Sequence, residues 1–301
     1  MSNSFNLKEY IHSLRPNLGE SSLKTYSSIL NGIYKKAHSN KEFNIDWFKD
    51  VDAVMNIIKD RPVAGRKTAL SAVIVLLNGE GTDKYSQLMK SDNETIQKGY
   101  ESQTKTQKQA ENWMSFDDVK AKWDEEYARI KPILNAKTEP TNNDLWALSK
   151  FMMLTVTSGV FFPPRRSEWI DLKLKPENKN TDNWIDKKSG EFVWNNYKTA
   201  KTYGQQRVAY PKEFKTILNK YLKRIGDQTY FIFDTSGQKL NKPSFTQTLN
   251  RMYGKNISTS MLRHIYLSDL HKHTPPLKQM NEIADAMGHS VVMGMEYAKK
   301  D

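Results

Sequence analysis

The chain has 301 residues, 38% of them hydrophobic and 11% aromatic, which is enough for two ordinary cores. Its 46 Lys and Arg outnumber its 34 Asp and Glu, and both parts share the excess: residues 1–110 hold 16 basic and 12 acidic side chains, residues 111–301 hold 30 and 22. That balance suits a polyanionic partner, while the lack of any cysteine excludes disulfides, thiol nucleophiles and Cys-based zinc sites.

The start, Met1 to Lys8, is polar and lacks the apolar stretch of a signal peptide. Helical periodicity follows over Leu7 to Leu14, and over Ser21 to Ala37, where Leu23, Tyr26, Ile29, Leu30, Ile33 and Tyr34 form an apolar stripe. Asp46 to Lys59 reads as a third helix. A fourth, Gly65 to Leu77, opens after Pro62 and stops at Asn78-Gly79, and a fifth runs from Lys84 to Tyr100. The longest largely apolar run, Ala69 to Leu77, is far short of the ~20 residues that cross a bilayer, so a soluble, intracellular protein without membrane contact is expected.

From Glu101 to Asn112 almost every residue is polar, and a mobile linker is expected there. Ser115 with Asp118 marks a helix start, giving Ser115 to Leu134, followed by a core helix Asn143 to Thr157. The period then changes to alternation over Trp184 to Asp186, Glu191 to Lys198 and Gln206 to Tyr210, which predicts a three-stranded antiparallel sheet. Helices return over Pro211 to Ile225, Pro243 to Tyr253, Ser260 to His271, Leu277 to Met287 and Val291 to Ala298. The expected fold class is therefore mainly α with a small antiparallel β-sheet (α+β). A helical bundle fills residues 1–110 and a second domain fills 111–301.

Five side chains in this second region carry the chemistry. Arg165 lies in Pro163-Pro164-Arg165-Arg166-Ser167-Glu168-Trp169, and Arg263 in Ser260-Met261-Leu262-Arg263-His264. Arginine offers a planar fork of donors that pairs two phosphate oxygens at once, and each site lies near a predicted helix start, where free N–H groups also favour an anion. Lys198, at the end of the second predicted strand, can protonate a leaving oxygen, and Lys201 in the same turn is an alternative. His289 follows Met287-Gly288, a helix stop, and can donate to a phosphate oxygen or manage a proton. Tyr297, eight residues on, is a nucleophile if positive charge or a base helps it to ionise. Singly, each has a plainer reading: surface arginines paired with Glu168 or Asp269, a solvated turn lysine, a histidine after a helix cap, a packed tyrosine. Arg166 and Ser260 are auxiliary candidates, Ser260 also as a helix N-cap.

His264, His271 and His273 hint at a metal cluster, but no carboxylate or cysteine stands at ligand spacing beside them. Acidic pairs near the basic motifs, a P-loop and a G-x-G-x-x-G are all missing, so neither a metal nor a small-molecule cofactor is expected.

In order and spacing these motifs resemble the tyrosine recombinase (phage integrase) family over nearly the whole chain. Arg165-Arg166-Ser167-Glu168 matches its Arg-x-Ser-Glu segment, Lys198-Thr199 its hairpin lysine, Leu262-Arg263-His264 its second arginine segment, and Gly288-His289-Ser290 its Gly-His segment, with Tyr297 the late tyrosine. The Pro-Pro-Arg-Arg form is similar to recombinases of viruses and mobile elements. Three departures stand out: Ser260 where the family has a histidine, a His289-to-Tyr297 gap one residue short of the commonest, and only Ala298 to Asp301 after the tyrosine, where relatives often continue with a helix that packs on a neighbouring subunit. The resemblance implies a DNA-clamping core-binding domain over 1–110 and a catalytic domain over 111–301. It also implies double-stranded DNA as partner, a homo-tetramer on two DNA sites, a 3′-phosphotyrosyl intermediate and integration or excision without metal or ATP. A type IB topoisomerase-like activity and a silent DNA-binding protein of recombinase descent are the alternatives.

Overall fold

The computed structural model describes residues 5–39, 41–272 and 277–299. The chain divides into two compact units, one ending at Ser102 and the other beginning at Gln103.

The first unit is all helical: α1 (Leu7–Leu14), α2 (Glu20–His38), α3 (Val51–Ile58), α4 (Val63–Leu77) and α5 (Asp83–Glu101). Its core joins Ile11, Leu30, Ile33, Phe48, Ile58, Leu70, Val73 and Tyr85. The single helix expected over Asp46 to Lys59 is in fact a 3₁₀ turn, Asp46–Lys49, and then α3. Asp50 makes the break: its backbone is extended and its carboxylate accepts the Ala53 N–H at 3.0 Å, capping α3.

In the second unit, the expected linker is ordered in its second half as α6 (Gln107–Asn112), because Thr106 and Gln109 bond reciprocally as a capping box. The polarity that suggests a linker is the same polarity that caps this helix. Next come α7 (Phe116–Asn135) and α8 (Asn142–Ser158), each opened by a capping box, at Ser115/Asp118 and Thr141/Asp144. Nearly every side chain of α8 from Ala147 to Ser158 is buried. Around it pack α7, α10 (Lys212–Ile225), α11 (Lys242–Tyr253) and α12 (Thr259–Lys272). The last two helices, α13 (Leu277–Met287) and α14 (Val291–Tyr297), pack on each other, and α14 also packs on α12.

The sheet differs from expectation. It has four strands in the order β1 (Leu172–Lys173), β2 (Asn183–Asp186), β3 (Glu191–Trp194) and β4 (Gln206–Ala209), with β1 parallel to β2 and the other pairs antiparallel. A two-residue strand has no alternation to read, which is why β1 escapes a periodicity argument. β3 also stops at Trp194 rather than reaching Lys198. The Asn183 side chain accepts from the N–H groups of Asn195 and Asn196 and donates to the Asn196 carbonyl, so it takes over from the ladder. Between β3 and β4 a one-turn helix, α9 (Ala200–Tyr203), replaces the expected turn. The mainly helical class with a small sheet holds, but the sheet is mixed and four-stranded.

Candidate active site

The end of α13 organises the site. Gly288 has φ +69 and its N–H donates to the Asp285 carbonyl, while His289 N–H donates to Ala284, the paired bonds of a left-handed helix stop. That closure leaves neighbouring carbonyls at the negative end of the helix dipole in want of donors. The two arginines fill the need: Arg165 Nη1 donates to Ala286 O (2.8 Å) and Arg263 Nη1 to Met287 O (3.0 Å). Gln206 Nε2 adds a second bond to Asp285 O (3.3 Å), and Thr199 Oγ1 donates to Gly288 O (3.2 Å).

Both arginines are nearly sealed from solvent, Arg165 at 3% exposure and Arg263 at 1%. Arg165 lies over the rings of Trp194 (4.7 Å) and Tyr197 (5.1 Å) and also donates to Gln206 Oε1 at 3.0 Å. Arg263 donates back to the carbonyl of Pro164, the residue before Arg165, at 3.1 Å, so the two arginine segments are tied directly. Neither guanidinium forms an ion pair among the described residues, and the Nε of each is buried without a hydrogen-bond partner among them. Burial lowers the pKa of both, that of Arg263 to about 10 with repulsion from Arg166 as the next cause, and Glu168 opposes the shift from longer range. The surface pairing with Glu168 or Asp269 that a plain reading allows is thus not what is found.

Tyr297 sits among these groups. Its hydroxyl oxygen accepts from Arg166 Nη2 at 2.9 Å, and the Arg263 guanidinium is 5.8 Å from its ring. The His289 ring stands 5.7 Å away, nearly perpendicular. From below, Tyr297 packs on Leu267, Ile283 and Met287, and its own carbonyl accepts from His264 Nδ1 at 2.5 Å. His264 is therefore an anchor of the tyrosine helix. His273 lies outside the described residues, among which no three His, Cys, Asp or Glu side chains are grouped to hold a metal ion.

A carbonyl can only accept, so the 2.8 Å contact of His289 Nδ1 with Ser290 O puts the ring proton on Nδ1. Nε2 is then a buried lone pair without a partner among the described residues. Burial first, and the nearby Arg263 charge second, push its pKa down to about 4, so the ring is neutral at pH 7. Of the two duties open to His289, taking a proton fits this tautomer and donating to phosphate does not. Gly294 on α14 lets the helix come close, since a Cβ there would stand 3.2 Å from His289 Cε1.

Lys198 is exposed in the turn leading to α9, beside Thr199, whose hydroxyl reaches Gly288. The turn belongs to the cluster, although the Lys198 side chain makes no hydrogen bond among the described residues. Lys201 is exposed on α9, and Ser260 is exposed in the first turn of α12 without a bond to the cluster. The capping duty expected of Ser260 falls to Ser258, whose hydroxyl accepts from Met261 N–H at 3.2 Å. Arg165 lies just before a short 3₁₀ turn, Ser167–Asp171, and Arg263 is near the start of α12, but it is the end of α13 that their guanidinium groups bond. Gln206, Thr199 and the carbonyls of Ala286 and Met287 escape a sequence reading. The one signal was Gly288, a helix stop that leaves unpaired carbonyls just before it.

No protein family model matches this chain. No curated protein matches it. Among solved structures the chain is similar to the crystal structure of XerA recombinase, with a TM-score of 0.43 and 14% sequence identity over 98% of this chain and 93% of that one.

Proposed function

We propose that this chain breaks and rejoins double-stranded DNA as a tyrosine-type, site-specific recombinase, the function its motifs imply. One observation carries the reading: two buried arginines that form no ion pair among the described residues meet at the end of α13, and a tyrosine beside one of them, Arg263, accepts from a third, Arg166. Such a cluster is costly in the free protein and is relieved by an anion.

In this mechanism Arg165 and Arg263 bind the non-bridging oxygens of a scissile phosphate and stabilise the charge that grows there. Tyr297 Oη attacks phosphorus and its proton passes to His289 Nε2. The bond from phosphorus to the 5′-oxygen breaks, leaving a 3′-phosphotyrosyl link, and Lys198 protonates the departing oxygen. A 5′-hydroxyl from another strand then reverses the step. The helical unit would clamp the DNA, and the assembly would be a homo-tetramer on two sites, acting in whichever compartment holds the target.

Tyr297→Phe should abolish covalent attachment to a nicked suicide DNA substrate and leave DNA binding intact. Attachment by that variant would show that another residue is the nucleophile. Plasmid relaxation without site preference would favour the topoisomerase alternative, and specific binding without any adduct the silent one.

A further inference from the structure

The hydrogen bonds of Arg165 go to neutral groups alone, and Glu168 acts on it only through its field. The register of β3 and β4 sets Gln206 opposite Trp194, the residue whose ring carries the Arg165 guanidinium. From there the Gln206 amide oxygen accepts from Arg165 Nη1 at 3.0 Å, and its Nε2 donates to the Asp285 carbonyl at 3.3 Å. A buried arginine is ordinarily matched by a carboxylate. Here an amide and a helix carbonyl take that place, although Glu or Asp at 206 would satisfy the same donor.

We propose that Gln206 is a positioning residue that fixes Arg165 without adding a carboxylate to the one at Glu168, so that the cradle stays net positive for the incoming phosphodiester. This rests on the reading of the site as a phosphate cradle. A carboxylate at 206 would turn the cradle into an internal ion pair and close it to anions. The amide also ties β4 to the end of α13, linking the turn that bears Lys198 to the arginines.

Two variants of the full chain separate charge from shape. If Gln206 served structure alone, Gln206→Glu would be milder than Gln206→Leu, because glutamate keeps an acceptor for Arg165. The proposal requires the opposite order. Gln206→Leu should slow adduct formation on the suicide substrate about ten-fold. Gln206→Glu should slow it about 100-fold or more, the loss seen when one transition-state donor is removed, while melting no lower than the leucine variant. A second readout needs no DNA. Inorganic phosphate, exchanged for chloride at matched ionic strength, should raise the melting temperature of the wild type and the leucine variant but not of the glutamate variant.

A glutamate variant that is as active as the leucine variant, is stabilised by phosphate like the wild type, or fails to fold would overturn the proposal. If the wild type forms no adduct yet the phosphate ordering holds, the recombinase reading falls and the role of Gln206 stands. If phosphate stabilises no form, the cradle itself is refuted.

Discussion

Burying a guanidinium without a carboxylate costs several kcal/mol, because carbonyls and ring faces return only part of its lost hydration. Arg165 and Arg263 both do this, and the two histidines beside Tyr297 add a related cost. His264 and His289 each have a pKa pushed from 6.5 down to about 4, first by burial and then partly by neighbouring cations. Between those values the unfolded chain binds protons that the folded chain does not, so stability rises with pH through the window and is lost as pH falls from 6.5 towards 4. The loss should be on the order of a few kcal/mol, read as a falling urea midpoint. His264→Gln, which keeps a donor for the Tyr297 carbonyl, should flatten the decline. An unchanged profile would mean that His264 is protonated in the folded chain without penalty.

At the scale of elements, the site depends on how α8, α12, α13 and α14 end and meet. α8 stops at Gly159, whose φ is +84, and a Cβ there would lie 2.6 Å from Tyr266 Cδ2 on α12. The same helix end leads into the Arg165 segment, and Tyr266 follows Arg263 by one turn of α12. Gly159→Ala therefore meets both a left-handed backbone and a clash with a packed ring. It should cost about 2–4 kcal/mol in chemical denaturation. Because the shift falls between the two arginines, adduct formation measured well below the melting temperature should drop as well. A variant with wild-type stability would show that Tyr266 yields freely. By contrast α14 is only two turns long and is held at its end by His264 and Arg166, so these side chains and not helix propensity set where the tyrosine lies.

For the whole molecule, charge is the property that both units share. Basic side chains exceed acidic ones by 14 to 12 in the unit that ends at Ser102 and by 32 to 22 in the other. If both units contact one DNA, affinity should fall linearly with salt on a log–log plot, with a slope of roughly −0.9 for each phosphate neutralised. Binding measured by fluorescence anisotropy across a salt series would test this. A shallow slope would move the contact away from the basic surface.

Much of the architecture was legible because it is local. Apolar stripes, the capping box at Ser115 and the stop at Gly288 act within a few residues of one another, so α1, α7, α8 and α13 follow from spacing and caps. The order of Arg165, Lys198, Arg263, His289 and Tyr297 is likewise sequence information, as are the charge excess and the lack of cysteine. Only tertiary structure decided the rest: the break at Asp50, the early end of β3 under the Asn183 side chain, the neutral acceptor at Gln206 and the tautomer of His289. The physical reason is the same each time. A polar group must find a partner, and which one it finds depends on how the chain folds back: Asn183 reaches 12 and 13 residues along, and Arg165 reaches 41 to Gln206 and 121 to the Ala286 carbonyl, groups that the sequence contains but does not single out.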